Sequence, residues 1–248
     1  MALVSIITPA YKAADFVGEA IRSVQAQGFM DWEMLIVDDG SPDQTAAVVR
    51  GYCEKDSRVK LIRQKNSGPA MARQAALEAA QGRYIAFLDS DDCWLPEKLS
   101  RQLEFMHQAG AALSYTRFRR MSHDGNTVGH LIEIPDRIDY RGLLCNTVIA
   151  TSTVIVDRQQ TGPFRMTKTY YDDFALWLEL LRRGHVACGL QQDLMRYRVL
   201  DQSVSRNKGK SAKMVWRIYR DVERLSMFDA AWCFANYAYN AWRKYREF

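Results

Sequence analysis

The chain has 248 residues, 48% of them apolar, which is enough for one large or two small domains around a real hydrophobic core. A formal charge of +5 leaves room for an anionic ligand or a membrane surface and does not call for nucleic acid, so no nucleic-acid partner is expected. Cys53, Cys93, Cys145, Cys188 and Cys233 include no Cys-x-x-Cys pair, and His107, His123, His130 and His185 show no metal-ligand spacing, which argues against a disulfide scaffold and a structural zinc site and for a reduced, cytoplasmic protein.

The chain starts directly into Leu3-Val4-Ser5-Ile6-Ile7, without the basic leader of a signal peptide. No apolar run reaches the roughly 18–20 residues that a membrane span needs, so a soluble or peripheral protein is expected. Residues 3–8 read as a central strand closed by Pro9. Asp15 is placed to cap the next helix, whose apolar positions Phe16, Val17, Ala20, Ile21 and Val24 share one face. Residues 32–37 read as a second strand running into Asp38-Asp39-Gly40-Ser41-Pro42. There Ser41 is the expected N-cap, Pro42 the first helical residue and Gln44 the capping-box partner. A third strand covers 59–63. Asn66-Ser67-Gly68-Pro69 then turns the chain into an alanine-rich helix over 70–80 that stops near Gly82. Strand and helix alternate through short connections, the pattern of parallel βαβ units in a doubly wound α/β sheet.

The next strand, Tyr84-Ile85-Ala86-Phe87-Leu88, organises the rest, because it ends abruptly in Asp89, Asp91 and Asp92. Carboxylates so close together need a cation or polar partners, and open α/β sheets bind ligands at the carboxyl ends of their strands. A pair one residue apart at that edge suits a hard divalent cation, which takes oxygen ligands and often a phosphate with it. An acidic turn capping a helix from Pro96 is the plainer alternative. The topology brings the Asp38-Asp39 and Asn66-Gly68 turns to the same edge, although a signalling receiver domain also carries acidic strand ends.

Five segments in order make the pattern specific. Thr8-Pro9-Ala10-Tyr11, Glu19-Ala20-Ile21-Arg22-Ser23-Val24, Val37-Asp38-Asp39-Gly40-Ser41, Asn66-Ser67-Gly68-Pro69-Ala70-Met71-Ala72-Arg73 and Phe87-Leu88-Asp89-Ser90-Asp91-Asp92 resemble family 2 glycosyltransferases. The resemblance implies a GT-A fold, with a mostly parallel sheet and flanking helices, and inversion at the anomeric centre of a nucleotide sugar, a UDP-hexose or UDP-HexNAc being the expected donor. It places Pro9, Ala10 and Tyr11 beside the base and Asp38 or Asp39 on the uracil edge or ribose. An aromatic ring offers a stacking face, and a carboxylate accepts the imide N–H of uracil. It places Arg73 near the diphosphate, with the Gly68 turn permitting close backbone approach, and Asp89 against the ribose. Asp91 would hold Mg²⁺ or Mn²⁺, and Asn66 and Ser90 complete the donor set. The alternatives are helix-entry packing for Tyr11 and a solvated helix arginine for Arg73.

In the second half, 96–109 reads as a helix ended by Gly110, 112–119 as a strand, and 127–134 as its return after the His123-Asp124-Gly125-Asn126 turn. Residues 151–156 read as a strand on the acceptor side and 162–169 as a loop. Asp172 and Asp173 open a helix whose apolar face is Phe174, Trp177, Leu178 and Leu181, with Gly184 as its stop. The residues alone read the pair as complementing the helix dipole. The resemblance implies that Asp173 is the general base, with Asp172 in place of the family's glutamate. Arg196-Tyr197-Arg198-Val199-Leu200-Asp201-Gln202-Ser203 resembles the family's closing segment, but Leu200 replaces a histidine able to ligate metal. Water, donor phosphates or Asp201 would have to fill that place.

Residues 1–205 therefore read as one GT-A domain, with a nucleotide-sugar half (1–110) and an acceptor half (111–205). Residues 206–248 read as a basic, aromatic helical extension. There Val215, Ile218, Val222 and Leu225 follow helical spacing, Ser226 and Asp229 form a capping box, and Phe228, Trp232, Ala235, Tyr239 and Trp242 form an apolar stripe. A helical hairpin packed on the domain is one reading and peripheral membrane contact the other. The resemblance implies transfer to a glycan or undecaprenyl-diphosphate-linked acceptor in O-antigen or capsule synthesis at the inner face of the cytoplasmic membrane. Two rivals are a sugar nucleotidyltransferase, for which the glycine-rich, lysine-bearing loop is missing, and a non-catalytic module that keeps Asp39 and Asp91 without turnover.

Overall fold

A computed structural model describes residues 2–200 and 208–245. The chain runs β1 (Val4–Ala10), α1 (Val17–Gln25), β2 (Trp32–Asp38), α2 (Thr45–Cys53), β3 (Val59–Arg63), α3 (Pro69–Ala79), β4 (Tyr84–Phe87), β5 (Cys93–Trp94), α4 (Lys98–Ala109), β6 (Leu113–Met121), β7 (Val128–Ile132), β8 (Arg137–Ile138) and α5 (Tyr140–Leu144). It continues through β9 (Ile155–Asp157), α6 (Arg158–Thr161), α7 (Asp172–Arg182), β10 (Ala187–Arg198), α8 (Lys208–Arg217) and α9 (Met227–Tyr245). A 3₁₀ turn, Thr151–Thr153, precedes β9, and a π-helical turn, Ile218–Val222, follows α8.

The described strands join one mixed sheet of order β3-β2-β1-β4-β9-β6-β10-β5, with β7 paired to β6 and β8 to β10. The expected parallel βαβ half is present: β2 and β4 flank β1 in parallel, and β3 extends β2 in parallel. β9 is antiparallel to both β4 and β6 and so welds this half to the rest, where β10 runs parallel to β6. Strands from both sides of residue 110 thus share a single sheet.

Side-chain alternation builds the two layers. Val4, Ile6, Met34, Ile36, Tyr84 and Ala86 enter one core with the Val17, Ala20, Ile21 and Val24 face of α1. Ile7, Leu35, Val37, Ile85 and Phe87 enter the other with α3 and α7. The tail belongs to this second core, since Val215, Ile218, Tyr219, Ala230 and Cys233 are buried in it.

Several local expectations are corrected. Phe16, not Asp15, occupies the N-cap of α1 and makes no side-chain cap. α2 starts at Thr45, three residues after Pro42; Asp43 Oδ1 accepts from Thr45 N at 3.1 Å, and Thr45 Oγ1 in turn accepts from Ala13 N at 2.9 Å. Ser41 Oγ instead accepts from Lys12 N. Gly82 does not stop α3, which ends at Ala79. A Cβ there would lie 2.6 Å from Ser5 N, so Gly82 lets two backbones cross. Of the expected 151–156 strand only Ile155 and Val156 fall in β9, which runs on to Asp157, while 151–153 form the 3₁₀ turn, and β5 and β10 were not anticipated. In the tail the capping box forms, with Ser226 Oγ accepting from Asp229 N at 3.1 Å. The expected stripe, however, faces outward: Phe228, Trp232 and Tyr239 are 79, 63 and 60% exposed. The buried side is Ala230 and Cys233, with Phe234 and Tyr237 packed beside them. The Trp242 side chain, like Asp201, lies outside the described residues.

Candidate active site

The parallel strands β1, β2 and β4 all deliver their carboxyl ends to one edge, and a cavity of about 380 Å³ opens there. Pro9, Ala10, Tyr11, Asp39, Asn66, Gly68, Pro69, Ala72, Arg73, Asp89, Ser90 and Asp91 line it. The structure thus brings together, from four separate turns, every donor residue expected from sequence except Asp38. That carboxylate is fully buried beneath the site, accepting from Ser41 N at 3.0 Å and from Arg63 Nε at 3.2 Å. Of the two aspartates, Asp39 therefore faces the cavity. Tyr11 is 47% exposed at the mouth and does not pack at the helix entry.

Asp39 shapes the opposite turn. Its Oδ1 accepts from Ser67 N at 2.9 Å and from Gln64 Nε2 at 2.7 Å, and its Oδ2 accepts from Gly68 N at 2.8 Å. Gly40 makes this approach feasible: its φ is +68°, and a Cβ there would lie 2.9 Å from Asn66 N. The 66–68 turn is therefore fixed by the acidic turn that follows β2, which explains how two loops distant in sequence form one wall.

Arg73 is 7% exposed, which rules out a solvated helix arginine. Its Nη2 donates to Asp89 Oδ1 at 2.5 Å, while its buried Nε finds no partner among the described residues. Burial works against its charge, but the carboxylates of Asp89, Asp173 and Asp172 outweigh burial and hold it protonated. Asp91 is in the reverse situation. Burial and the negative charge of Asp89 push its carboxyl up to about 6. A cation between such oxygens would remove that repulsion. Among the described residues no three His, Cys, Asp or Glu side chains form a metal cluster. Mg²⁺ needs no such cluster, because it takes one or two carboxylates and fills its shell with phosphate oxygens and water. The Asp89 and Asp91 donor set fits such a substrate-shared ion.

Asp172 and Asp173 lie outside the cavity lining, beside Arg73, and their side chains diverge. Asp172 Oδ1 accepts from Thr169 N at 2.5 Å and holds the loop ahead of α7. Burial pushes its carboxyl up against those Thr169 hydrogen bonds, with the charge of Asp173 adding to the rise. Asp173 Oδ1 accepts from Phe174 N at 2.8 Å, and its Oδ2 accepts from Thr151 Oγ1. Thr151 belongs to the 3₁₀ turn that contacts β4, so Asp173 is anchored to that turn and Asp172 to the loop ahead of α7.

The sequence reading did not assign Ser152, Asp92 or Arg198. Asp92 is 1% exposed, and its two oxygens accept from Arg198 N at 2.9 Å and from Ser152 Oγ at 2.5 Å. The clue was available: a third aspartate beside Asp89 and Asp91 requires polar partners if buried.

Three comparisons bear on this arrangement. The family described as Glycosyl transferase family 2 matches residues 5–169. The chain is 45% identical over 244 residues to a Bacillus subtilis (strain 168) protein provisionally assigned as the teichuronic acid biosynthesis glycosyltransferase TuaG, covering 98% of this chain and 97% of that one. It is 36% identical over 223 residues to the Escherichia coli UDP-Glc:alpha-D-GlcNAc-diphosphoundecaprenol beta-1,3-glucosyltransferase WfgD, covering 88 and 86%. Among solved structures, S. aureus TarS 1–349 in complex with UDP-GlcNAc aligns with a TM-score of 0.71 over 98% of this chain and 73% of that chain, at 18% identity. That last likeness is one of fold.

Proposed function

The chain belongs to glycosyl transferase family 2 and is a glycosyltransferase with a GT-A-like fold, and from that premise we propose that it transfers a hexose or N-acetylhexosamine from UDP, with inversion, to a hydroxyl of a lipid-diphosphate-linked glycan in bacterial surface polysaccharide synthesis. The observation that carries this reading is the convergence of Tyr11, Asp39, Arg73, Asp89 and Asp91 on one cavity, with Asp173 beside Arg73. The names of TuaG and WfgD support the polymer and the lipid-diphosphate acceptor.

In this reading Tyr11 offers its exposed ring to the uracil and Asp39 accepts the imide N–H. Asp91, with Asp89 beside it, would hold Mg²⁺ or Mn²⁺. Bound there, the ion offsets the charge growing on the departing diphosphate. Asp173 takes the proton of the acceptor hydroxyl. The freed oxygen forms its bond to the anomeric carbon from the opposite face as the carbon–oxygen bond to UDP breaks and the electron pair leaves with UDP. Arg73, hydrogen-bonded to Asp89 and close to Asp173, sets one fixed positive charge beside both the donor-side and the acceptor-side carboxylate.

The outward face of α9 adds a location. No charged residue occurs from 230 to 242, and Arg243, Lys244 and Arg246 follow. Exposed Phe228, Trp232 and Tyr239 form an aromatic face, and with a basic run following in the sequence this is the composition of a helix lying in the headgroup layer at the inner face of a cytoplasmic membrane. No helix among the described residues is long and apolar enough to cross a membrane.

The test is incubation with a panel of UDP-sugars and a GlcNAc-diphosphate-lipid analogue, with Mg²⁺, Mn²⁺ or EDTA. UDP release with an extended, anomerically inverted product is expected, lost in EDTA and in Asp91→Asn. Donor binding without product would leave a binding module, and pyrophosphate release from UTP and a sugar phosphate would make it a nucleotidyltransferase. Undiminished transfer in EDTA would remove the metal.

A further inference from the structure

The turn that carries Asp91 is gripped from behind by the far end of the sheet. Asp92 N closes the turn onto Asp89 O at 3.1 Å. Arg198, the last residue of β10, donates its Nε to the main-chain oxygen of Asp91 at 2.9 Å and its backbone N to Asp92 Oδ1 at 2.9 Å. The other oxygen of Asp92 accepts from Ser152 Oγ at 2.5 Å, and that same Oγ accepts from Asp89 N at 3.0 Å. The ring of contacts is closed: Arg198 to Asp91 and Asp92, Asp92 to Ser152, Ser152 to Asp89. Ser152 is in turn fixed by Trp94, whose Nε1 donates to its carbonyl oxygen at 2.7 Å.

Arg198 is itself over-determined. Its side chain is 2% exposed, its Nη1 donates to His123 O at 2.7 Å, and its Nη2 donates to Glu19 Oε2 at 2.5 Å. Its guanidinium stands 5.1 Å from the centre of the Phe16 ring. One rigid fork therefore ties three segments together: α1, the turn after β6, and the Asp91 turn. A lysine in its place has a single point charge on a flexible stem and cannot address three acceptors in fixed directions.

We propose that Arg198 is a positioning residue for the cation site, acting through the main chain of Asp91 and the side chain of Asp92, with Ser152 holding the other end of the turn. This rests on the reading of Asp91 as the cation ligand. Partners behind a ligand fix its direction, and losing one typically lowers metal affinity by about 10–100-fold. Glu19 does not line the cavity; it meets the bracing through Arg198 and through the Cys93 thiol that follows Asp92.

The experiment measures Mn²⁺ bound to the UDP complex by the loss of the free-ion paramagnetic resonance signal, and metal-free UDP binding by calorimetry. Wild type, Arg198→Lys, Ser152→Ala and Glu19→Gln are compared. Arg198→Lys and Ser152→Ala should bind Mn²⁺ about 10-fold or more weakly and Glu19→Gln several-fold more weakly, with metal-free UDP affinity within about twofold of wild type. Ser152→Ala and Glu19→Gln decide the matter if Arg198→Lys does not fold. Unchanged Mn²⁺ affinity in the folded variants overturns the proposal and leaves the reading of Asp91 intact. An equal loss of metal-free UDP binding also overturns it, since that is collapse of the whole site. Absence of Mn²⁺ binding by the wild-type complex overturns both.

Discussion

Thr151 donates its hydroxyl to Asp173, joining the turn ahead of β9 to the first turn of α7. The adjacent Asp172 is bound instead to Thr169. In the proposed reading the two neighbouring carboxylates, held by different anchors, have different duties. Asp173→Asn should keep the fold and UDP affinity but lose about 10²–10⁴-fold in transfer rate, the usual cost of a missing general base. Asp172→Asn, whose amide oxygen can still accept from Thr169 N, should retain most transfer, and Asp172→Ala should in addition lose about 1 kcal/mol of stability, as for a lost cap. Single-turnover transfer and UDP calorimetry on the same preparations check this. A dead Asp172→Asn beside a near-normal Asp173→Asn would move the base by one residue.

Acid stability follows from carboxylates on the other side of the molecule. Asp56 is drawn down to about 2, chiefly by the Arg58 guanidinium. For Glu33, burial raises the carboxyl, but Lys60, Ser5 and the main chain of Gln81 together bring it below its ordinary value. Asp157 is likewise raised by burial and brought lower on balance by Arg83, Gln160 and Gln159 N. Groups lowered in the folded state stabilise it above their unfolded values and lose that contribution as pH falls. Asp91, raised to about 6, acts in the opposite sense and is relieved on protonation. The thermal midpoint should hold or rise slightly from pH 7 to about 5 and then fall steeply below about 4. Asp56→Asn should flatten part of the steep limb. A midpoint that declines steadily from pH 7 would contradict this balance.

The tail should be tested at its surface. Truncation near residue 211 would remove Val215, Ile218 and Tyr219, all fully buried, and would confound lipid binding with unfolding. Replacing Phe228, Trp232 and Tyr239 with serine leaves that core in place. The triple variant should pellet several-fold less with anionic liposomes than wild type and bind UDP equally well. Equal pelleting of the two folded proteins would assign the aromatic face to something other than lipid.

The first half of the fold was legible because parallel strands buried on both faces are continuous apolar runs, and each ends in a polar turn. β3 spans 59–63 as expected, and Gly110 stops α4 in the left-handed conformation, at φ +61°. β10 escaped notice because Gln191, Gln192 and Asp193 interrupt it and its register against β6 shifts twice. The starts of α1 and α2 were misplaced because their turns are held by long-range bonds, Thr45 to Ala13 and Ser41 to Lys12, which no local capping rule contains. The stripe on α9 was found, but its direction was not. Periodicity identifies a face, and here the opposite side, with Ala230, Cys233 and Phe234, is apolar as well. In the candidate site, the family resemblance named residues that the fold does bring to one cavity. It did not separate Asp38 from Asp39, because that difference is one of burial set by Arg63 and Ser41.

The bracing of the Asp91 turn also has a consequence in time. Arg198 is 106 positions from Asp92 and 179 from Glu19. On a ribosome adding about 5–20 residues per second, roughly 5–20 s separate the emergence of the turn from that of the residue that grips it. During that interval the nascent chain already holds Tyr11, Asp39 and Arg73 but lacks the strand that pairs with β6 and closes the sheet. A chain ended before residue 198 would hold the acidic turn only through Ser152 and the Asp92 N to Asp89 O bond. The full bracing of that turn thus arrives late in synthesis.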